Sequence, residues 1–420
     1  MRNKKSKFII GLLVVVSILI VGYSVCVFSN IGFIKKWRTI YIETAMTTTS
    51  HKWLATAFIP HYIIDDVMSS AKEQNEIQKD LQSTWENVET VTKERKEDTK
   101  IVVIEESKDA KVSNSDEELT EIEKEIEKVV EPTAEELFYD KYWEVNKEDI
   151  EAYLTEHTEF NYENILIENL DEKQDIKTVF GEPIVVLDAT NNVIIIKVEG
   201  EGYKGLLAKS KNSEQVTVVG ADTLGTHGNI ITKLANDNNA IVAINASGFA
   251  DVNFQGNGGT IAGSMILDGV DYGIPKENFK IFGFKADNRM YIENYSEEVC
   301  KDYKWAIQYK PALIVDGEVY VQDSFGWGLQ PRSAVGQTAK GEFLMLIVDG
   351  RQVTHSIGAT VGDLAEIMMR HNCYQGMNLD GGSSSIMAYK GEVINSPSSK
   401  TKLGRYLPNA FIIKYADATQ

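Results

Sequence analysis

Gly376-Met-Asn-Leu-Asp380-Gly-Gly-Ser-Ser-Ser385 is the stretch on which the reading of the fold turns. An apolar run stops at a carboxylate, and two glycines and three hydroxyls follow. Two other runs end in the same way. Ala240-Ile-Val-Ala-Ile enters Asn245-Ala-Ser-Gly-Phe, and Phe343-Leu-Met-Leu-Ile-Val enters Asp349-Gly-Arg. Each has the length and composition of a buried strand and closes on a polar residue with a glycine within three positions. A polar side chain at the end of such a strand stands on a rigid support at the rim of a domain. The glycines let backbone N–H groups come close to a ligand. A lone Asp-Gly is an ordinary turn signal, and Asp268-Gly269 and Asp316-Gly317 read as hairpin turns. The Asp380 loop exceeds what a two-residue hairpin requires, and its row of N–H and O–H donors suits a phosphate or a sugar ring.

Around these three strand ends the chain from about residue 179 is dense in short β-branched runs broken by Gly and Asn. Ile184-Val-Val-Leu, Val193-Ile-Ile-Ile-Lys-Val and Val216-Thr-Val-Val are further strands. Asn229 to Asn238 reads as a helix, with Ile230, Ile231 and Leu234 on one face. Val361 to His371 reads as another, with Val361, Leu364, Ile367 and Met368 at helical spacing and Asp363 in its first turn. Strands with a few helices imply an α+β domain built on a mixed sheet with flanking helices, over residues 179–420.

N-terminal to it the character differs. Phe8 to Phe28 is an uncharged, almost unbroken apolar run preceded by Arg2, Lys4, Lys5 and Lys7. At 1.5 Å per residue it spans a hydrocarbon core of about 30 Å. The basic end (residues 1–7) is expected to stay in the cytoplasm and the rest of the chain to lie outside it. No small-x-small cleavage site follows, which favours an uncleaved single-pass signal anchor over a removed signal peptide. Residues 29–70 carry Trp37, Tyr41, Trp53, Phe58 and Tyr62 among apolar residues, a pattern that fits either a small helical subdomain or a helix lying on the membrane surface. Residues 71–135 are Glu- and Lys-rich and read as an acidic stalk. The run Glu121-Ile-Glu-Lys-Glu-Ile-Glu-Lys fits a solvated helix, a disordered spacer or a coiled coil. Residues 136–178 read as a helical, acidic lead-in anchored by Leu137, Phe138, Tyr142, Trp143, Ile150 and Tyr153.

The formal charge of −19 over 420 residues argues against a nucleic-acid partner. It is unevenly spread: residues 181–420 carry 21 Lys and Arg against 26 Asp and Glu, a net −5. An anionic substrate would therefore need local positive charge. That domain has only five arginines, and three stand in loops rich in Gly or Pro: Gln330-Pro-Arg332-Ser, Asp349-Gly-Arg351 and Gly404-Arg405-Tyr-Leu-Pro. A guanidinium is the usual bidentate partner of phosphate or carboxylate. The chain has no His-Glu-x-x-His, Cys-x-x-Cys or Gly-x-Ser-x-Gly, and Gly256-Asn-Gly-Gly-Thr completes no nucleotide fingerprint. A zinc protease, an α/β-hydrolase and an NTPase are set aside. His227 and His355 read as surface or hydrogen-bonded histidines. Cys26, Cys300 and Cys373 make no disulfide framework. No Asp-x-Asp-x-Asp spacing points to calcium, so neither a metal nor a cofactor is expected.

Taken in order, Asn245-Ala-Ser-Gly-Phe, Pro331-Arg-Ser-Ala-Val-Gly, Val348-Asp-Gly-Arg, Ser356-Ile-Gly-Ala-Thr, Asn378-Leu-Asp-Gly-Gly-Ser-Ser-Ser, Asn395-Ser-Pro-Ser and Leu407-Pro-Asn-Ala-Phe resemble the phosphodiester glycosidase family. That family includes the uncovering enzyme N-acetylglucosamine-1-phosphodiester α-N-acetylglucosaminidase and bacterial members linked to exopolysaccharide or cell-wall polymers. The resemblance covers about residues 180–418. It departs at Asn245-Ala-Ser-Gly-Phe, where the family more often has Asn-Gly-Gly-Phe-Phe.

The resemblance implies hydrolysis between an anomeric carbon and a phosphodiester in a surface or cell-wall glycan. The leaving phosphate monoester is a weak base, so acid assistance matters less than in ordinary glycosidases, and stabilising the phosphate matters more. On this expectation Asp380 acts at the anomeric centre as base or nucleophile, and Asp349 is the second carboxylate or orienter. Arg332 and Arg351 hold the phosphate, with Gly381, Gly382, Ser383 and Ser384 donating further hydrogen bonds. Asn245 and Asn378 meet the sugar hydroxyls. The alternatives are a non-catalytic module that binds a glycan phosphate, or an assembly protein of envelope polymers in which residues 31–68 are the working part.

Overall fold

The computed structural model describes residues 2–48, 51–86, 88, 131–251 and 256–419. The Glu121–Lys128 run, and with it the choice between helix, coiled coil and spacer, lies outside the described residues.

The strands form an α+β domain, with Ile231–Asp237 and Val361–Arg370 as helices where the apolar spacing places them. Thr360 caps the second helix by accepting from Asp363 N, while the Asp363 carboxylate accepts from Thr360 N in return. The largest sheet has nine strands, in the spatial order 166–168, 184–188, 193–200, 203–210, 343–348, 332–338, 373–378, 312–315 and 318–319. Two five-stranded sheets pack against it. Every strand pairing among the described residues is antiparallel, where the sequence suggested a mixed sheet. The apolar runs do not reveal this, because both faces of the central strands are covered and alternation disappears. Phe343–Val348 is buried at every position.

One face meets the smaller sheets in an aromatic cluster, with the rings of Phe284 and Trp305 stacked at 4.5 Å and Phe411 5.6 Å from Trp305. The other face is covered by Val361–Arg370 and by two helices of the acidic lead-in, Ala134–Lys141 and Lys147–Glu156. Phe138, Tyr142 and Ile150 of that lead-in are buried, whereas Leu137 is exposed. At this edge Glu144, Lys209, Lys211 and Glu342 are all buried together. Lys209 lies 3.0 Å and Lys211 2.7 Å from Glu144 Oε1. Asp268 and Asp316 sit at positive φ ahead of Gly269 and Gly317, as their hairpin turns require.

The N-terminal part begins with helix α1, Arg2–Phe28. Its stretch Phe8–Phe28 is 21 residues long and apolar enough to cross a membrane. Three helices follow: α2, Gly32–Thr47; α3, Trp53–Thr56; and α4, His61–Ile77. Ile42, Ala55, Ile59 and Ile64 form a small core with Val27 of α1, while Phe33, Trp53, Phe58 and Tyr62 remain exposed. This unit packs on the sheet domain through polar anchors. In α2 the buried Glu43 carboxylate accepts from Ser324 Oγ and from Gly326 N, the latter at 3.1 Å. Thr44 Oγ1 accepts from Leu329 N at 2.9 Å.

Residues 78–86, placed by sequence in the stalk, also run across the domain. The Gln78 amide exchanges hydrogen bonds with Ala312 in both directions. Trp85 donates to Met290 O at 3.1 Å, and its ring lies 4.9 Å from that of Tyr374. Asp316 accepts from the backbone of Thr84 and Trp85 at 2.8 and 3.1 Å.

Candidate active site

The strand Cys373–Asn378 delivers Asp380 to the domain's rim. Its loop is pinned to the neighbouring strand: Leu379 N donates to Ser333 O and Gly382 N to Pro331 O, both at 2.8 Å. Gly382 then opens a single 3-10 turn at φ +64°, a conformation only glycine adopts without strain. A Cβ there would also stand 3.1 Å from Arg351 Nη2, so glycine and guanidinium lie face to face. The backbone N–H groups of Gly381 and Ser383 donate to nothing among the described residues. They are the loop's open donors.

Around the Asp380 carboxyl the structure gathers residues from three distant segments and from its own loop. Tyr309 Oη donates to Asp380 Oδ1 at 3.1 Å. Ser384 hydrogen-bonds the same carboxyl. The Arg405 guanidinium pairs with Asp251 at 2.7 Å, lies 3.5 Å from Ser383 Oγ, and rests 4.6 Å from the centre of the Phe249 ring. Burial pushes the Asp380 carboxyl above the usual carboxylate range, against the opposing pull of Ser384, Tyr309 and the Arg405 charge. Burial and the adjoining Asp380 charge hold the Tyr309 phenol neutral, so it remains a donor.

Arg351 reaches this loop from the next strand end. It is exposed, and Nε and Nη2 both donate to Gln330 Oε1, at 3.2 and 2.6 Å. Arg332 is buried beneath it. Nε donates to Ala359 O, and Nη2 to Trp327 O and Gly328 O. Only Nη1 makes no hydrogen bond among the described residues. Burial lowers its pKa to about 10, so it stays charged at neutral pH. Three of its five N–H groups hold the carbonyls of Trp327, Gly328 and Ala359, leaving the two on Nη1.

Three expected contacts turn inward. Asn245 is fully buried. Its Nδ2 donates to Asp380 O at 2.7 Å, and its Oδ1 accepts from Ser333 Oγ at 2.9 Å and Ile386 N at 3.3 Å. It fastens the Asp380 loop to two strands and, fully buried, presents no atom to the surface. Asn378 is equally buried and donates to Lys310 O at 2.9 Å, beside Tyr309. Asp349 accepts from Asn395 Nδ2 at 2.8 Å, Ser396 N at 3.1 Å and His355 Nε2 at 2.8 Å. With its lone pairs occupied and little surface open, it acts here as a knot between loops rather than as a second reacting carboxylate. His355 is the hydrogen-bonded histidine its context suggested.

Sequence reasoning named the loop donors, Asp380 and Arg351, and the structure brings these together. It missed Tyr309, Asp251 and Phe249, and it did not assign Arg405 to the site. The only signal for Arg405 was its Gly404-Arg-Tyr-Leu-Pro loop. Tyr309 ends a strand, Tyr303–Tyr309, in a sheet that carries no such loop motif. Among the described residues no group of three or more His, Cys, Asp or Glu is arranged to hold a metal ion.

Two clefts flank the site. One, of about 810 Å³, lies between α2 and α3 on one side and Arg332, Arg351, Gly381 and Gly382 on the other. The second, of about 800 Å³, lies beside Phe279, whose ring is 5.4 Å from that of Tyr309, and is lined by Lys72, Lys79, Lys276, Lys280 and Lys310. Trp327 borders both.

The chain is similar to several known proteins. An uncharacterized SPbeta prophage-derived protein of Bacillus subtilis is 26% identical over 209 residues, covering 46% of this chain and 30% of that protein. N-acetylglucosamine-1-phosphodiester alpha-N-acetylglucosaminidase of Bos taurus is 23% identical over 163 residues, 35% of this chain and 29% of that enzyme. The chain thus spans less than a third of the length of these relatives. Among solved structures, the zebrafish N-acetylglucosamine-1-phosphodiester alpha-N-acetylglucosaminidase catalytic domain, auto-inhibited by its pro-peptide, aligns over 53% of this chain and 82% of its own, at 20% identity and a TM-score of 0.44. Residues 238–414, from the strand that leads into Asn245 through the Asp380 loop and Arg405, match the family model of the phosphodiester glycosidases.

Proposed function

We propose that this chain is a membrane-anchored, extracytoplasmic hydrolase that cleaves the bond between a sugar's anomeric carbon and a phosphodiester in a surface glycan. The observation that carries this reading is the pairing of one carboxyl with one anion cradle. Asp380 stands at the head of the loop. The same loop carries the N–H groups of Gly381 and Ser383, which have no acceptor among the described residues, and the guanidinium of Arg351 faces it at Gly382.

In this reading the phosphodiester rests on Arg351, the free Nη1 of Arg332 and the two backbone N–H groups. These donors are fixed before reaction and stabilise charge as it grows on the departing phosphate oxygen. The Asp380 carboxylate faces the anomeric carbon. It either takes a proton from an attacking water or attacks directly, and Tyr309 and Ser384 orient it. Arg405, tied to Asp251, keeps Asp380 more acidic than burial alone would allow. The cleft beyond Tyr309, lined by five lysines with Glu76 and Glu277, has a net positive lining that suits a phosphate-bearing glycan in an otherwise acidic protein. The family match supports a hydrolase acting on phosphodiester-linked sugars. The apolar helix α1, with a basic end before it, supports anchoring with the domain outside.

The test is turnover of a panel of α-sugar-1-phosphodiesters, N-acetylglucosamine first, by the purified protein and by Asp380→Asn. Release of free sugar that falls about 10³-fold or more in the variant is expected. Equal release by both proteins would remove Asp380 from the mechanism. Tight binding with no release by either would make the chain a glycan-phosphate binding module.

A further inference from the structure

The cleft that holds Arg332, Arg351, Gly381 and Gly382 is built from two unlike halves. The sheet domain supplies the cationic half. The N-terminal helices supply the other, which is mainly apolar: Trp37, Ile40, Tyr41 and Ala45 of α2 and Leu54 of α3, interspersed with Thr44, Thr47, Thr48 and His51. Aromatic rings can stack on a sugar, but the aliphatic Ile40, Ala45 and Leu54 offer a glycan no hydrogen bond. The wall is also held firmly in place. Glu43 and Thr44 of α2 are bonded to the backbone and side chains of residues 324–329, and a Cβ on Gly328 would lie 2.2 Å from Thr44 Oγ1.

The same wall is fixed to the end of the apolar helix. Three residues separate α1 from α2, and Arg38 Nη1 donates back to Val27 O and Ser29 O at 2.7 and 2.9 Å. Tyr23 Oη donates to Phe58 O at 2.7 Å. Tyr23 lies five residues inside the end of α1, so Phe58 stands about 7 Å below that end, at 1.5 Å per residue. The exposed rings of Phe58 and Trp53 therefore sit at the depth of the upper part of the span, the zone that such aromatics favour. Tyr41 Oη donates to Leu54 O at 2.7 Å, which joins the cleft wall to that same α3.

We infer that the substrate is a lipid: a sugar joined through a phosphodiester to a long-chain membrane alcohol. This rests on the hydrolase reading above and names its substrate class. The phosphate sits on Arg351 and the loop N–H groups, the sugar at Asp380, and the chain along Trp37, Tyr41 and Leu54 toward the bilayer. Hydrolysis breaks the anomeric C–O bond, whose electron pair leaves with the phosphate oxygen. Water supplies the new anomeric hydroxyl, and its proton ends on the base. The products are the free sugar and a lipid phosphate monoester that stays in the membrane.

The experiment uses the full chain in nanodiscs and two esters of the same α-N-acetylglucosamine-1-phosphate. One is a methyl ester and the other a long-chain polyprenyl-type ester carrying a photoreactive group near the phosphate. Expected are crosslinks within residues 37–54, a kcat/KM for the long-chain ester at least tenfold above the methyl ester, and a fall in that ratio of about tenfold in Trp37→Ser. Equal kcat/KM for the two esters with no crosslink in 37–54 would overturn the lipid assignment and leave the hydrolase standing. Crosslinks in 37–54 without sugar release from either ester would support the lipid site and remove the hydrolase. Absence of both would remove both.

Discussion

Replacing Asn245 with alanine separates a sugar contact from a loop anchor. In the structure the Asn245 amide satisfies three groups: Asp380 O, Ser333 Oγ and Ile386 N. Ser333 Oγ has a second partner in Ser385 Oγ at 3.1 Å, so it is not left bare. The Asp380 carbonyl and the Ile386 N–H lose the bonds shown here. A buried polar group without a partner costs about 1–3 kcal/mol, so Asn245→Ala is expected to destabilise by roughly 2–5 kcal/mol. In a domain of this size about 1 kcal/mol moves the midpoint by roughly 2–4 °C, so Tm should fall by about 10 °C. The freed loop also lets Asp380 drift from the anomeric centre, so kcat should fall more than KM rises. The assay pairs thermal unfolding of wild type and variant with initial rates of sugar release. An unchanged Tm with a KM raised tenfold at constant kcat would show that Asn245 meets the sugar after all, and would refute the anchoring argument.

Four further outcomes follow from the same geometry. Because burial raises the Asp380 pKa in the folded chain, the folded state holds its proton to higher pH than the unfolded state does. Stability drawn from this group is present at low pH and lost as pH rises through the folded pKa. Asp380→Asn should therefore be inactive yet have a Tm at pH 7 at or above wild type, checked by thermal unfolding from pH 4 to 8. Arg405→Gln removes the cation that opposes that shift, so the acid limb of the kcat/KM profile should move to higher pH. A profile unchanged in position would detach Arg405 from Asp380. Glu43→Ala strands the Ser324 hydroxyl and the Gly326 N–H, so trypsin should cut faster at Lys52 as α2 and α3 loosen. Glu144→Gln leaves Lys209 and Lys211 buried beside a single carboxylate, which should cost about 3–5 kcal/mol, read as a large fall in Tm.

The strands, the two helices of the sheet domain and the Asp380 loop were legible because their information is local. An apolar run, a capping Thr360-x-x-Asp363 and a Gly-Gly after a carboxylate each say what their own residues do. Residues 78–86 were not legible as part of the domain. They dock through Gln78, Ser83, Thr84 and Trp85, which bond to backbone and to Asp316, and hydrogen bonds leave no hydrophobic period in the sequence. Polarity there reads as solvation when it is in fact recognition of a partner more than two hundred residues away.

The same reasoning explains why residue type outran role at the site. Asp349 and Asp380 have similar contexts: a carboxylate at a strand end with glycine following. What divides them is which groups fill their lone pairs. Asp349 meets His355, Asn395 and Ser396, all delivered by loops that fold back on it, and its acceptor capacity is spent within the protein. Asp380 meets Tyr309 and Ser384, which orient it, and an arginine already paired to Asp251, which tunes it without closing it off. The two carboxylates differ by partners drawn from loops distant in sequence, and only the folded topology decides which loops those are. The arginines divide by the same rule. Arg332 spends three donors on carbonyls, while Arg351 spends two on a single half-buried glutamine that a phosphate can displace. Arg351→Ala should accordingly lower kcat by about 10²-fold with little change in Tm, whereas Arg332→Ala should lower Tm as well, because it leaves the Gly328 carbonyl without its donor and removes one donor each from the carbonyls of Trp327 and Ala359, which keep Thr47 Oγ1 and Gln330 N. Equal Tm values for the two variants would mean that Arg332 faces the ligand and not the loop.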